Sequence, residues 1–338
     1  MRIDQLRVAV LGAGPQVERW AAALGQNATV SIMPDALAGE VDAFVVAPGA
    51  RDPFPRVREA LAVGVPVLYA APFLLSPWQA ALLEALSRRQ DCLLRVVEPF
   101  QYRGGFRFLH RLTRGREPLW RLRYLRTTSL APAECGSRID ELAVEDLAMC
   151  QALLDVQPRS VMATAAQRDE IGDVCAVFLT VHYPHGPVVQ CTISTAEVTA
   201  VRQLVAVTPS RTVILDRLDR AAPLQIMANA TTDAVAPAKR VIAVPDGDPV
   251  AEEARRFLEA VATNDRTLAN GERWVRVAAL WWAARQSMSF GGSVEVPAPA
   301  VALAQGQAQT EPPPLRVIEG GGRVTRTAKR PLLTLIAS

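Results

Sequence analysis

Short apolar runs alternate with amphipathic segments over the first hundred residues of the chain. Five runs have the character of buried strands: "LRVAVLG", "ATVSI", "VDAFVVA", "VPVLYA" and "CLLRVV". Between them, segments such as "PRVREALAVG" and "SPWQAALLEALSRRQ" place apolar residues at helical spacing. Strands that alternate with helices predict a parallel sheet covered on both faces.

The pattern changes near residue 101, where a basic helix leads into a second region. The amphipathic segment "RIDELAVEDLAMCQALLD" is followed by strand-like runs without helices between them, and then by two final helices. The predicted fold class is α/β. A Rossmann-type parallel-sheet domain is expected at 1–122, followed at 123–298 by an α/β domain with a mostly antiparallel open sheet. This division permits the two final helices to pack back on the first domain.

Residues 299–338 differ from both regions. An Ala/Pro/Gln-rich stretch predicts a linker, and the segment "LRVIEGGGRVTRTAKRPLLTLIAS" is basic and then apolar. Three alternatives stay open for this extension: an added edge strand, docking on a partner enzyme, or disorder.

Composition narrows the function classes. The chain has 338 residues and a net charge of +3, which is too small to indicate nucleic acid or an acidic membrane surface as a partner. Its five cysteines form no CxxC pair, and we expect neither a disulfide framework nor a metal site. With no signal peptide and no long apolar run, we expect a cytoplasmic protein.

The loop "GAGPQV" lies between the first predicted strand and a helix, as a dinucleotide-binding turn does. Gly12 permits the tight turn, and Gly14 lets backbone amides approach a diphosphate at the helix N-terminus. The candidate cofactor-binding residues of this loop are Gly12, Ala13, Gly14, Pro15 and Gln16. Val17 replaces the third glycine of the motif, so we expect the helix to be pushed outward or the loop to shift.

An acidic residue after the second strand holds a ribose hydroxyl in such domains. Asp35 is near that position, but Met33 and Pro34 occupy the expected places. Two alternatives remain: Asp35 reaches back to the ribose, or it is a surface turn residue and the contact is missing.

The order and spacing of several segments resemble the Gfo/Idh/MocA family of NAD(P)-dependent oxidoreductases over residues 5–298. The segments are "VAVLGAG", "VDAFVVAPG", "ALAVGVPVLYAAPF", "DELAVEDLAMCQALLDVQP" and the closing helices. The resemblance implies NAD or NADP as the cofactor, hydride transfer with a sugar, cyclitol or related alcohol, and a homodimer through the open sheet. It also adds Ala47, Pro48, Ala71 and Pro72 to the cofactor-facing positions.

The chain departs from the family pattern at the positions that handle the proton. Ala70 and Ala71 stand where the family has Glu-Lys before Pro72, and Glu145 stands where the helix motif has histidine. Alanine has no proton to give, and an ionised glutamate only accepts hydrogen bonds. The standard acid–base pair is therefore absent, and cofactor binding is either retained, weakened or lost.

Other side chains are candidates to replace that pair. Glu141 and Glu145 are four residues apart on one predicted helix face and are expected to point into the cleft, either as a functional carboxylate pair or as a solvated pair held by Arg138 or Arg103. Tyr102 and Arg103 begin the helix between the domains and are candidates to contact a substrate carboxylate or phosphate. The candidate catalytic residues are Tyr102, Glu141 and Glu145, and the candidate substrate-binding residues are these three with Arg103.

Two hypotheses follow. The first is a degenerate family member with reduced or no standard dehydrogenase activity, which acts as a binding or accessory partner in a biosynthetic pathway. The second is an active NAD(P)H-dependent oxidoreductase that uses a non-standard proton donor on a small metabolite or biosynthetic intermediate.

Overall fold

A computed structural model describes most of the chain up to residue 298 and two short strands beyond it. The described residues are 3–26, 28–32, 40–48, 50, 52–70, 75–114, 122–136, 138–170, 172–184, 186–219, 221, 223–228, 239–245, 247–298, 316–319 and 323–327. None of the helices formed by the described residues combines the length and the apolar composition that a membrane span requires.

The first domain contains a five-stranded sheet in which all neighbouring strands are parallel and the order is β2-β1-β3-β4-β5. The strands are β1 (Arg7–Leu11), β2 (Thr29–Ile32), β3 (Ala43–Val46), β4 (Val67–Tyr69) and β5 (Leu94–Val96). The helices are α1 (Pro15–Gly25), α2 (Phe54–Ala62), α3 (Pro77–Arg89) and α4 (Gly104–Thr113), with a 3-10 helix at Pro99–Tyr102. The predicted parallel sheet is confirmed.

The second domain contains a sheet of eleven described strands in the order β13-β12-β11-β10-β6-β9-β8-β7-β14-β15-β16. Its strands are β6 (Tyr124–Pro132), β7 (Ser160–Arg168), β8 (Val174–His182), β9 (Val188–Glu197), β10 (Val201–Val207), β11 (Arg211–Asp216), β12 (Leu224–Ala228), β13 (Lys239–Ile242), β14 (Ser293–Glu295), β15 (Arg316–Glu319) and β16 (Arg323–Thr327). All the pairs are antiparallel except β6–β9, so the predicted mostly antiparallel sheet is also confirmed.

Helix α5 (Ile139–Leu154) covers the inner face of this sheet. Most of its residues after the first turn are buried, and it packs against β6, β8, β9 and the final helix α7 (Gly271–Phe290). On the sheet, Leu125, Thr127 and Ser129 of β6 alternate with more exposed neighbours and are fully buried. Because side chains alternate along a strand, these three share the face that meets α5.

The final helices pack against the first domain as well. Helix α6 (Pro249–Thr263) contacts α1, and its fully buried Phe257 joins the apolar cluster that contains Val17 and Trp20. Helix α7 contacts α3, where the rings of Trp78 and Trp282 meet edge to face with centroids 6.5 Å apart.

A buried network of charges joins β5 to both final helices. Arg95 donates from Nε to Glu253 Oε1 at 2.7 Å, and Arg273 donates to Glu98 Oε2 at 2.8 Å. The Arg95, Glu98 and Glu253 side chains are all at most 3% exposed. A buried carboxylate without a cation is strongly unfavourable, so this network fixes how the C-terminal helices meet the first sheet.

The extension adds to the sheet edge. β15 pairs with β14 and β16 pairs with β15, both antiparallel. Three alternatives were open for the extension, and the described strands β15 and β16 show the first of them, an addition to the edge of the sheet. The predicted linker lies outside the described residues.

Candidate functional site

The turn after β1 has the backbone geometry that a dinucleotide loop needs. Gly12 has φ of +142° and Gly14 has φ of +86°, conformations that favour glycine. A Cβ atom at Gly12 would lie 2.9 Å from Val17 Cγ2 and 3.1 Å from the Ala47 carbonyl oxygen. Gly12 is therefore required both by its φ angle and by the close approach of β3.

Val17 is accommodated within the core. Its side chain is 3% exposed and belongs to the apolar cluster that includes Val10, Ala47 and Phe257. Its N–H donates to the Gly14 carbonyl at 3.0 Å, which closes the turn and begins the helix. The space that a glycine would leave is thus filled by a valine methyl group beside Gly12.

Two features weaken the loop as an anion cradle. Pro15 occupies the first helical position and has no N–H, so one backbone donor is missing at the helix N-terminus. Glu18 lies in the first turn, where a negative side chain competes with a bound diphosphate. The positive φ angles of Gly12 and Gly14, and the open space beside Gly14, still fit a dinucleotide.

The carboxyl ends of β3 and β4 lie beside this loop. Ala47 N–H donates to the Leu11 carbonyl at 2.8 Å, and Ala70 N–H donates to the Val46 carbonyl at 2.7 Å. Ala47 is buried, and the Pro48 carbonyl would be 3.3 Å from a Cβ at Gly12. Asp35, Ala71 and Pro72 lie outside the described residues, so their roles stay predictions.

Glu145, which the resemblance aligns with the family's histidine, is paired with an arginine. Arg217, which follows β11, donates from Nη1 to Glu145 Oε1 at 3.1 Å. The Arg217 side chain is 7% exposed, whereas that of Glu145 is 47% exposed. The partly exposed carboxylate is therefore held by a largely buried guanidinium.

The same guanidinium satisfies a second carboxylate. Arg217 Nη2 donates to Asp146 Oδ1 at 2.8 Å and to Ser129 Oγ at 2.6 Å, and Ser129 Oγ donates to Asp146 Oδ1 at 2.8 Å. Asp146 and Ser129 are fully buried. Burial acts to lower the pKa of Arg217, but the two neighbouring carboxylates outweigh it and raise that pKa, so the side chain stays charged.

Glu141 lies one turn earlier on α5 in a different environment. Partial burial raises its pKa, and the charge of Arg138 opposes that rise. The predicted carboxylate pair is thus divided: Arg138 acts on Glu141, and Arg217 holds Glu145. No group of three or more metal-ligating side chains occurs in the described part of the chain.

The side chains of Tyr102 and Arg103 lie in different environments in the structure. The Tyr102 hydroxyl donates to Glu253 at 3.4 Å, inside the buried charge network, and burial with the nearby Glu253 charge raises its pKa to about 12. Arg103 precedes α4 and lines the small cleft that Arg217 also lines. The structure therefore brings Arg103 and Arg217 to one cleft and turns the Tyr102 hydroxyl toward α6.

Three residues of this arrangement are not among the candidates that the sequence pattern predicts: Asp146, Arg202 and Arg217. Asp146 had a signal, because it directly follows Glu145 on a helix whose neighbouring positions are apolar. Arg202 and Arg217 had none. They reach α5 only because β10 pairs with β6 and Arg217 N–H donates to the Arg202 carbonyl at 2.7 Å.

Comparisons with solved structures identify the fold. UDP-N-acetylglucosamine 3-dehydrogenase GnnA from Acidithiobacillus ferrooxidans superposes with a TM-score of 0.73 at 19% identity, over 88% of this chain and 99% of that one. GenD2 from gentamicin A biosynthesis, in complex with NAD, gives 0.71 at 20% identity, over 88% and 98%. The 3-ketoreductase KijD10 from Actinomadura kijaniata, a variant in complex with TDP-benzene and NADP, gives 0.69 at 19% identity, over 84% and 98%.

The chain has the Gfo/Idh/MocA fold. No protein-family model matches the sequence, and no curated protein is significantly similar to it. At this level of identity the solved structures confirm the fold that the resemblance implied. By their descriptions, the GenD2 and KijD10 structures are complexes with NAD and NADP.

Proposed function

We propose that the chain is an oxidoreductase-like protein that binds NAD or NADP and has reduced or no standard dehydrogenase activity. It acts as a binding or accessory partner in a biosynthetic pathway. Gly12, Ala13, Gly14 and Gln16 would hold the diphosphate, and Ala47 and Pro48 would face the dinucleotide. When bound, the nicotinamide supplies or accepts a hydride.

The Glu145–Arg217 ion pair supports this proposal most directly. A general acid or base near neutrality needs a pKa close to the working pH. The Arg217 guanidinium does not deprotonate in a protein, and Glu145 is held as its acceptor. In this proposal the two side chains hold each other in place and do not supply the histidine's proton transfer.

The proposal is tested by restoring the lysine and the histidine of the family pattern at positions 71 and 145. We expect no turnover from the wild-type protein with NAD⁺ or NADP⁺ and a panel of sugars and cyclitols. The double variant Ala71→Lys/Glu145→His is expected to gain measurable oxidation, followed as nicotinamide absorbance, and each single variant serves as a control. Wild-type turnover in the ordinary enzyme range, about 1 s⁻¹ or faster, would contradict the proposal.

One observation favours the second candidate function, an active NAD(P)H-dependent reductase. Partial burial raises the pKa of Glu141, which moves that carboxyl toward the range of a general acid. The assay in the reducing direction separates the two candidates. An active reductase would consume NAD(P)H, and Glu141→Gln would remove that activity while leaving cofactor binding intact.

We also propose that the open face of the second sheet forms a homodimer. Phe178 of β8 and Met162 of β7 are 52% and 49% exposed on strands that pair with each other. Exposed apolar side chains on neighbouring strands are typical of a surface that is covered in solution. Light scattering is expected to give a dimer mass for the wild type and a monomer mass for Phe178→Arg; a monomeric wild type would refute the interface.

The C-terminal extension is proposed to contact a partner enzyme, and a chain truncated before residue 300 would show whether that contact needs the extension.

The cytoplasm is the compartment that we propose. The support for it is that all five cysteines are free, including the neighbouring buried residues Cys150 and Cys191.

A further inference from the structure

A second arginine lies beside Arg217 on the inner face of the sheet. Arg202 of β10 is directly opposite Ser129 of β6, and the backbone of Arg217 bonds to that of Arg202 at 2.7 Å. Because Ser129 faces α5, its partner Arg202 faces α5 as well. Two guanidinium groups therefore approach the N-terminal half of α5 from neighbouring strands.

The two arginines differ in their partners. Both terminal nitrogens of Arg217 are engaged, one with Glu145 and one with Asp146 and Ser129. Arg202 Nη1 is buried without a hydrogen-bond partner among the residues that the structure describes. A buried donor of a charged group that lacks a partner costs more than a neutral one, so this position favours an incoming acceptor.

One oxygen of each neighbouring carboxylate is engaged by Arg217, and Asp146 Oδ2 is buried without a hydrogen-bond partner among the described residues. Glu145 is drawn to Arg217 at 3.1 Å, and Asp146 is enclosed by Arg217 and Ser129. Arg202 is half-buried, so part of it faces the solvent. Burial, the largest effect, lowers the pKa of Arg202, and the charge of Arg217 acts in the same direction against the two carboxylates. An arginine nevertheless stays charged at neutral pH.

We propose that Arg202, beside the N-terminal half of α5, is the anchor of an anion subsite that takes a carboxylate or phosphate group of a ligand. The planar guanidinium presents two parallel N–H donors to such a group, and Arg217 adds positive potential without giving up its own partners. The subsite selects ligands that carry a carboxylate or phosphate, and the proposal applies whether or not the protein turns that ligand over.

Calorimetric titration with inorganic phosphate and, separately, with malonate tests the subsite and distinguishes the two anion classes. The wild-type protein is expected to bind at least one of them saturably at low ionic strength. Arg202→Gln is expected to weaken that binding by about tenfold or more, because one charge-assisted hydrogen-bonded group is lost. Arg240→Gln is the matched control, since Arg240 is exposed on β13 of the same sheet and the change in net charge is identical.

Phosphate could also bind at the Gly12 loop, so each titration is repeated with saturating NADH. Binding that persists with NADH and is lost in Arg202→Gln supports the subsite, and this holds even if NADH itself fails to bind. Arg202→Lys covers the case in which Arg202→Gln does not fold. Lysine keeps the charge without the planar fork, so malonate affinity should fall more than phosphate affinity. Equal anion affinities in wild type and folded variants, or no binding by the wild type, would overturn the proposal.

Discussion

Replacing Arg217 with alanine is expected to lower the free energy of unfolding by about 3–5 kcal/mol, because it leaves a buried carboxylate without its cation. Asp146 is fully buried, and Arg217 is the only cation bonded to it in the described part of the chain. Ser129 alone would then face a charge that burial disfavours. Urea unfolding followed by circular dichroism measures the loss.

The control for this prediction is the double variant Arg217→Ala/Asp146→Asn, in which the stranded charge is also removed. It is expected to recover part of the lost stability, since a neutral amide costs less to bury than a carboxylate. A loss below about 1 kcal/mol in the single variant, typical of surface ion pairs, would show that Arg217 does not compensate Asp146.

Replacing Glu253 with alanine is expected to have a similarly large effect, about 3–5 kcal/mol, by a different route. Arg95 would remain buried with Glu98 at 3.7 Å as its remaining acidic neighbour, and the Tyr102 hydroxyl would lose its acceptor. The backbone N–H of Glu98 also donates to Glu253 at 3.0 Å. The contact between α6 and the end of β5 is therefore expected to loosen, which thermal unfolding would measure.

Glu252 provides the matched control on the preceding position of α6. Its carboxylate pairs with Arg255 and Arg256 at the surface, where such pairs contribute about 1 kcal/mol or less. Glu252→Ala should therefore leave the midpoint of unfolding nearly unchanged. Equal losses of stability in Glu253→Ala and Glu252→Ala would show that the buried Arg95–Glu253 pair contributes no more than a surface ion pair.

The fold could be predicted from the sequence because periodicity is a local property. Apolar strands alternate with helices in the first domain, whereas strands follow one another directly in the second. Both patterns can be recognised from the local sequence, without long-range information. Gly12 and Gly14 were found for the same reason, since a strand, a glycine turn and a helix follow each other along the chain.

The arrangement of the cleft could not be predicted in this way. Arg217 and Asp146 are 71 residues apart, and Arg95 and Glu253 are 158 apart, so their pairing depends on sheet register and helix packing. The place of Val17 also needed the structure. Its methyl group fills the space beside Gly12, a contact that the motif alone does not specify.

Cofactor binding without turnover is tested by titrating the purified protein with NADH and NADPH and following nicotinamide fluorescence and absorbance in the same sample. We expect a saturable fluorescence change without consumption of the cofactor, and no change for Gly12→Val, in which the added side chain meets Val17 and the Ala47 carbonyl oxygen. Absence of binding at millimolar cofactor, or rapid consumption on addition of a sugar or carbonyl substrate, would contradict this expectation.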